Sequence, residues 1–337
     1  MFTAQEAINR LCDKREIFYD EMVDLMRQVM EGKVSPVQLS AILMGLHVKT
    51  ESVSEIAAAA SVMREFSTKV DAADLEHLVD TCGTGGDKAH TFNISTTAAF
   101  VSAAAGARVA KHGGRAVSSQ SGSADVLEAL GVRIDAPPKT VQKALDEAGW
   151  TFLFAPKFHA STRHAVGPRK ELGVRTAFNL LGPLTNPARP EGQVVGVPRA
   201  ELTPFVARCL QRLGTKRAWV VYGAGLDELT VVGPTTVTEV DGESVRNFTV
   251  TPGDAGLPTA DVDALRGGDP QVNAAITRDL LAGAPGPKRD VVLLNAAAAL
   301  VVGGRAADLR EGARLAARAI DDGRALRLLD RVREALA

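Results

Sequence analysis

The chain has 337 residues, of which 45% are hydrophobic and 23% are charged. Its 39 lysines and arginines nearly balance 40 acidic residues, so the formal net charge is −1. This balance argues against a broad basic surface for nucleic acid or for an anionic membrane. Three scattered cysteines, Cys12, Cys82 and Cys209, are too few for a disulfide framework or a cysteine-based zinc site. We therefore expect a reducing, cytoplasmic setting.

Neither a signal peptide nor a membrane span is expected. The N-terminus has no basic stretch followed by an apolar run, which a secretory signal would need. The longest apolar run, over residues 296–302, is far shorter than the ~20 residues that cross a bilayer. We therefore expect neither a nucleic-acid partner nor a membrane partner.

The first seventy residues predict helices only. Thr3 with Glu6, and Ser52 with Glu55, have the spacing of capping boxes, in which two residues satisfy each other's free backbone N–H groups at a helix start. Ser35 precedes a proline in the first helical position, which marks a third start. Bundled helices are expected, with their apolar faces in a core or in a dimer contact.

From about residue 75 the pattern changes to short β-rich runs that alternate with helical stretches. This alternation predicts an α/β fold with a largely parallel sheet, whereas a hairpin-like region over 229–250 indicates an antiparallel part. The fold class expected is a small all-helical domain over 1–72 plus a large α/β domain over 73–337 with a central, mostly parallel sheet. Strands are predicted over 77–82, 108–111, 151–154, 194–197, 217–222 and 235–240, and helices over 96–105, 124–130, 139–148, 200–213 and from about 290 onward.

A glycine-rich segment follows the first predicted strand. Residues 83–87 read Gly-Thr-Gly-Gly-Asp, and Asn93, Ser95 and Thr96 then open an alanine-rich helix. Glycines let the backbone approach an anion closely, and a helix start offers unpaired N–H groups and a favourable dipole. Lys88 follows an aspartate here, so neither the Walker loop nor the dinucleotide fingerprint fits. The segment predicts an anion site of another kind.

Two further groups follow later strands. Lys111 ends a predicted strand and precedes glycines and Ser118, Ser119, Ser121 and Ser123, a cation with hydroxyl donors that suits phosphate or pyrophosphate. Asp227 and Glu228 lie in a turn beyond the strand over 217–222. Ligands bind open α/β sheets at the carboxyl ends of their strands, and hard oxygen ligands suit Mg²⁺ bridged to phosphates. The two groups predict a metal–phosphate site.

Read together, these motifs resemble the anthranilate phosphoribosyltransferase family over nearly the whole chain. The most specific part is the run Phe-Asn-Leu-Leu-Gly-Pro-Leu-Thr-Asn-Pro over residues 178–187. The resemblance implies a Mg²⁺-dependent enzyme of tryptophan biosynthesis that transfers the phosphoribosyl group of 5-phosphoribosyl 1-pyrophosphate (PRPP) to anthranilate. It also implies a homodimer and a segment around 162–187 that returns to the helical domain.

The resemblance assigns roles to individual residues. Asp227, Glu228 and Lys111 are implied to be catalytic, and Ser95, Asp227 and Glu228 to bind the metal. Gly83, His112, Gly114 and Arg169 are implied to bind the acceptor, with Arg169 meeting its carboxylate. The residues implied to bind the donor are Gly83, Gly86, Asp87, Thr91, Asn93, Ile94, Ser95, Thr96, Lys111, Ser118, Ser119 and Ser123.

Two departures from the family pattern fall in the implied acceptor site. Gly114 stands where the family normally has asparagine, and residues 160–163 read Ala-Ser-Thr-Arg instead of Pro-Ala-Met-Lys. They leave open the same donor chemistry on a different aromatic or heterocyclic amine. A pyrimidine-nucleoside phosphorylase is a second possibility, although it has no use for the Asp227–Glu228 pair. A non-catalytic nucleic-acid-binding relative is a third, and it would need a basic surface. His159 and His164 are expected to be structural or surface residues.

Overall fold

Four helices form the N-terminal part of the chain, as predicted. The computed structural model describes residues 1–72, 74–87, 89–116 and 120–337. The hydroxyls of Thr3, Ser35 and Ser52 each accept a hydrogen bond from the backbone N–H three residues on, at 3.2–3.3 Å, which confirms the predicted helix starts. The helices are α1 (Ala4–Cys12), α2 (Tyr19–Met30), α3 (Pro36–Lys49) and α4 (Val53–Phe66).

Seven strands form one sheet in the order β3-β2-β1-β4-β5-β6-β7. The first five strands of this order run parallel, and β6 and β7 extend the sheet as an antiparallel hairpin. Both features confirm the expected fold class, a small helical part beside an α/β part with a mostly parallel sheet. The strands are β1 (Leu78–Gly83), β2 (Arg108–Gly113), β3 (Trp150–Phe154), β4 (Gly192–Gly196), β5 (Arg217–Gly223), β6 (Thr235–Asp241) and β7 (Ser244–Val250).

Eleven further helices are found in the described part beyond the first strand. Four of them were not predicted, namely those over Ala155–Phe158, Arg163–Leu172, Phe178–Leu181 and Pro270–Leu281. The last has a start signal in the sequence, because the side chain of Asp269 accepts a hydrogen bond from Val272 N and a proline occupies the first helical position. The helices are α5 (Ile94–Ala104), α6 (Ser123–Ala129), α7 (Pro138–Ala148), α8 (Ala155–Phe158), α9 (Arg163–Leu172), α10 (Phe178–Leu181), α11 (Leu202–Arg212), α12 (Pro270–Leu281), α13 (Pro287–Val302), α14 (Leu309–Asp321) and α15 (Arg324–Leu336). Within the described ranges, none of the helices is both long enough and apolar enough to cross a lipid bilayer.

The two faces of the sheet belong to two different hydrophobic cores. Successive side chains of a strand point to opposite faces, and on β5 Trp219 and Val221 join the core of the α/β part, whereas Ala218 and Val220 join the core of the N-terminal helices. Residues of α9, α10 and α11 also belong to this second core. The helical part therefore packs directly on the sheet, and the segment that contains α9 and α10 lies between them.

One buried carboxylate ties the N-terminal helices together. Glu55 on α4 is fully buried, and its two oxygens accept hydrogen bonds from Ile17 N at 3.0 Å, from Ser52 N at 2.8 Å and from Lys49 Nζ at 2.9 Å. A buried carboxylate is favourable only when its oxygens are paired in this way. Glu55 thus connects the start of α4 to the loop before α2 and to the end of α3.

We expect Glu55→Gln to lower the free energy of unfolding by about 2–4 kcal/mol, since an amide group would turn N–H donors toward N–H donors and would remove the counterion of Lys49. Chemical denaturation measures this effect. The matched control is Glu65→Gln in the exposed Arg27–Glu65 ion pair, where a loss of roughly 0.2–1 kcal/mol is expected. Equal losses for the two variants would contradict the role assigned to Glu55.

Candidate functional site

The glycine loop after β1 meets the turn after β5 at one edge of the sheet. Gly85 N donates a hydrogen bond of 2.9 Å to Asp227 Oδ2, and Asp227 N lies 3.5 Å from Asp87 Oδ2. A Cβ atom at Gly83 would lie 2.5 Å from Asp227 Oδ2, and one at Gly196 on β4 would overlap the Asp227 backbone carbonyl. Both positions therefore require glycine for the two segments to approach each other.

The second carboxylate of the pair points to the start of α5. Glu228 Oε1 accepts a hydrogen bond from Ser95 N at 3.2 Å. The neighbouring strand β2 brings Lys111 to the same point, because its buried ammonium donates to Thr81 O and lies 3.4 Å from Ser95 Oγ. The chain thus places both carboxylates, one helix N-terminus and one buried cation together at the carboxyl ends of β1, β2 and β5.

The electrostatics of the two carboxylates favour a bound cation. Burial and the nearby carboxylate of Asp87 raise the pKa of Asp227 to about 7. Burial and Asp227 raise the pKa of Glu228 to about 8, against the opposing charge of Lys111. Like charges held in a poorly solvated place are stabilised by an added cation.

The donor set fits Mg²⁺ that also binds a phosphate ligand. Within the described residues no group of three or more His, Cys, Asp or Glu side chains is arranged to hold a metal by itself. Two carboxylates and the Ser95 hydroxyl remain as hard oxygen ligands. Mg²⁺ typically uses one or two protein carboxylates and fills its other positions with water and substrate phosphates. Asp227, Glu228 and Ser95 are residues of the right chemistry for such an ion.

The other predicted donor residues surround the start of α5. Asn93 precedes this helix, and its side-chain oxygen accepts hydrogen bonds from Ser121 Oγ at 3.1 Å and from Asn273 Nδ2 at 2.9 Å. Ile94 begins the helix and is buried, and the buried Thr96 hydroxyl has no hydrogen-bond partner within the described part of the chain. A helix N-terminus is favourable for an anion, and here the N–H of Ser95 already donates to the carboxylate of Glu228.

The remaining predicted donor residues have different local surroundings. Gly86 has a φ of +93° and lies against Arg175, so a side chain there would be strained and would clash. Thr91 forms an isolated bridge to Arg266, and Ser123 Oγ donates to Gly114 O at 3.2 Å at the start of α6. Ser118 and Ser119 lie outside the described residues, so their predicted role stays a prediction.

The predicted acceptor residues lie on three elements: Gly83 ends β1, His112 and Gly114 lie at the end of β2, and Arg169 is on α9. His112 is buried, and its Nδ1–H donates to Gly182 O at 3.2 Å. Burial and His159 lower the pKa of His112 to about 3, so the ring is neutral and its Nε2 is a free acceptor that has no partner among the described residues. A Cβ atom at Gly114 would meet no atom of the described residues within 4 Å. The glycine that replaces the family's asparagine at position 114 therefore has free space where a side chain would lie.

Arg169 carries a positive charge with no counterion in the residues that the structure describes. Its guanidinium lies over the Phe178 ring at 5.1 Å, and burial lowers its pKa from the usual range. A half-buried guanidinium of this kind suits a planar carboxylate ligand, because it can donate two parallel hydrogen bonds.

Several residues at the site were not assigned roles from the sequence. Arg175 Nη1 donates to Gly85 O at 3.1 Å, and Asn273 of the unpredicted α12 holds Asn93. His159, which was expected to be structural or surface, is buried, and its ring lies 5.0 Å from that of His112, which agrees with the structural alternative. No periodic signal marks these residues, since each reaches the site only through tertiary packing.

Two family models cover most of the chain. The helical bundle domain of a glycosyl transferase family matches residues 5–67, and the a/b domain of a glycosyl transferase family matches residues 75–326. Anthranilate phosphoribosyltransferase of Chromobacterium violaceum is 53% identical over 337 residues, covering 98% of this chain and 97% of the relative. That of Thiobacillus denitrificans is 55% identical over 326 residues, covering 96% of this chain and 95% of the relative.

Solved structures agree with these relatives. The anthranilate phosphoribosyltransferase of Thermus thermophilus matches with a TM-score of 0.93 and 44% identity over 98% of this chain and 99% of the other. The Saccharomyces cerevisiae enzyme, solved in complex with PRPP and Mg, matches with a TM-score of 0.90 and 28% identity over 99% of this chain and 97% of the other. The chain therefore belongs to the anthranilate phosphoribosyltransferase family.

Proposed function

We propose that this chain transfers the phosphoribosyl group of PRPP to the amino group of anthranilate, with release of pyrophosphate, as a step of tryptophan biosynthesis. The observation that carries the proposal is the convergence of Asp227 and Glu228 on Gly85 N and Ser95 N. The bond from the anomeric carbon to pyrophosphate breaks, a carbon–nitrogen bond forms, and the amine loses a proton. The arylamine is already neutral at pH 7, so the reaction needs no strong general base.

The donor side must stabilise the negative charge that grows on the leaving pyrophosphate. We infer that Gly83, Gly86 and the N–H groups at the start of α5 bind its phosphates, because backbone donors held in place act without reorganisation. Lys111 adds a fixed positive charge behind Ser95. The remaining donor residues proposed are Asp87, Thr91, Asn93, Ile94, Ser95, Thr96, Ser118, Ser119 and Ser123.

The protein uses Mg²⁺, in agreement with the yeast relative solved with PRPP and Mg. When bound, the ion neutralises phosphate charge and orients the leaving group. We propose Ser95, Asp227 and Glu228 as its protein ligands, because these oxygens lie together and two of them carry raised carboxyl pKa values that a cation would relieve.

The acceptor side presents one charged and two neutral elements. We propose that Arg169 pairs with the anthranilate carboxylate, since its guanidinium is half-buried and has no counterion in the described chain. The neutral ring of His112 is proposed to shape the acceptor site from within the protein, and Gly83 and Gly114 to leave room for the acceptor ring. The phosphorylase and the nucleic-acid-binding protein lose support because neither explains a half-buried carboxylate pair beside an unpaired arginine.

We also propose the domain bounds, the oligomeric state and the cellular location. The helical domain spans 1–72 with a returning segment around 162–187, and the α/β domain spans 73–337. A homodimer is supported by exposed valines on two helices that pack together. Val37 and Val48 lie eleven residues apart on α3 and therefore on one side of it. Val166 lies on the adjacent α9. A cytoplasmic location is supported by the three free cysteines.

The test of the proposed function is a pyrophosphate-release assay with PRPP, Mg²⁺ and a panel of aromatic amines. Anthranilate-dependent release that requires added Mg²⁺ is expected. Release with another amine and none with anthranilate would show that the acceptor is that other amine. Phosphate-dependent cleavage of a nucleoside would instead favour the phosphorylase.

Asp227→Asn should lower turnover strongly and shift the Mg²⁺ dependence to higher concentration, because one charged ligand is lost. The fold should persist, and thermal unfolding checks this. The control is Asp241→Asn at the exposed end of β6, which should leave the Mg²⁺ dependence unchanged. The metal assignment fails if Asp227→Asn keeps the wild-type Mg²⁺ dependence.

Arg169→Ala should raise the anthranilate KM by roughly tenfold or more, since losing a charged hydrogen-bond partner costs about 1.5–3 kcal/mol. The KM for PRPP should change little. Arg169→Lys should fall between, because an ammonium keeps the charge but not the two-pronged geometry. Lys170→Ala is the control on the same helix, and equal losses of donor and acceptor affinity in Arg169→Ala would make Arg169 a structural residue.

Gly114→Asn should lower the KM for anthranilate several-fold and leave the KM for PRPP unchanged. A Cβ atom has open space at this position, and one neutral hydrogen bond is worth about 0.5–1.5 kcal/mol. Steady-state kinetics with anthranilate and ring-substituted analogues measure the effect. An unchanged or raised KM across the series would show that residue 114 does not contact the acceptor.

A further inference from the structure

Asp80 lies buried in the middle of β1 and bonds to two other segments. It is fully buried, and its Oδ1 accepts a hydrogen bond from His112 N at 3.2 Å. Its Oδ2 accepts from Asn186 Nδ2 at 2.8 Å. Burial raises the pKa of this carboxyl, while the charge of Lys111 opposes the rise. A buried carboxylate with two such partners is costly to keep and needs an explanation.

Asn186 completes the junction. It is also fully buried, and the same amide group donates a second bond of 2.8 Å to Ala110 O on β2. Its Oδ1 accepts from Ala188 N at 2.9 Å. Two side chains therefore join β1, β2 and the end of the 178–187 run.

This junction lies between the two halves of the proposed active site. On β2 the next residue along is Lys111, whose ammonium reaches Ser95 on the donor side. After it comes His112, whose ring bonds to Gly182 O, four residues before Asn186, on the acceptor side. The segment that supplies Gly182 also follows the helix that carries Arg169. A shift at the junction moves both sides relative to each other.

We propose that Asp80 and Asn186 are positioning residues that set the distance between the donor-binding end of β2 and the acceptor-binding segment. This role rests on the proposed function. Neither residue contacts a substrate directly, and each acts through the backbone of residues 110–112 and of residues 182–188. A misplacement of about 1 Å between reacting groups is enough to cost a large part of the rate.

The donors and acceptors around positions 80 and 186 distinguish aspartate from asparagine at each position. A carboxylate accepts at both oxygens, whereas an asparagine at position 80 must turn its NH₂ toward either His112 N or Asn186 Nδ2, so one donor faces another in both orientations. Asn186→Asp turns an oxygen toward Asp80 Oδ2 and toward Ala110 O. The double exchange Asp80→Asn with Asn186→Asp restores the bond between the two side chains and keeps the total charge.

We expect each single variant to lower kcat and to raise the anthranilate KM by about tenfold, the ratio for a lost charged hydrogen bond near 1.4 kcal/mol. The KM for PRPP should change far less, because the bonds from Gly85 N and Ser95 N to Asp227 and Glu228 bypass the junction. The double exchange should recover part of the loss, which a double-mutant cycle measures as coupling.

The matched control is Thr151→Val, which removes a buried hydrogen bond of 3.0 Å from Thr151 Oγ1 to Val141 O beside the same sheet. It should lower the melting temperature and leave both KM values unchanged. Single variants that lose stability as the control does, with donor and acceptor kinetics untouched, overturn the proposal, as does an absence of coupling. Wild-type protein with no anthranilate-dependent activity would instead refute the proposed function.

Discussion

The site depends on the close approach of two backbone segments, the glycine loop after β1 and the turn after β5. Gly83 and Gly196 permit it, because a Cβ atom at either position would collide with Asp227. The turn itself passes through left-handed conformations at Ala224 and Gly225, with φ of +49° and +101°. These backbone constraints bring two acidic side chains, a helix N-terminus and a lysine together.

The charge arrangement follows from this approach. Burial and Asp87 raise the pKa of Asp227, burial and Asp227 raise the pKa of Glu228, and the buried Lys111 offsets the rise at Glu228 only in part. A bound ion such as Mg²⁺ supplies positive charge to the two carboxylates, and a polyphosphate supplies the negatively charged ligand that the ion still needs. The site is therefore matched to a metal–pyrophosphate complex more than to either component alone.

The proposed acceptor side has a different structural origin. Arg169 and the run over 178–187 belong to the segment between the helical part and the sheet, whose apolar residues join the core of the N-terminal helices. The junction of Asp80 and Asn186 connects this segment back to β1 and β2. The proposed donor and acceptor groups thus come from two packing units, and buried hydrogen bonds hold the two units in register.

Short patterns of neighbouring residues in the sequence were enough to predict much of the fold and of the candidate site. Capping boxes predicted the first helices, alternating patterns predicted the parallel sheet and its hairpin, and the glycine loop with Asp227 and Glu228 predicted an anion and metal site. Each of these signals is contained within a short stretch of neighbouring residues, so it can be recognised without the fold. Only the tertiary structure decided that Asn273, Arg175 and His159 reach the site, that Arg169 lacks a counterion in the described chain, and that Asp80 bonds to Asn186. Those contacts join residues as much as 180 positions apart, and such pairs are set by packing, which leaves no periodic trace along the chain.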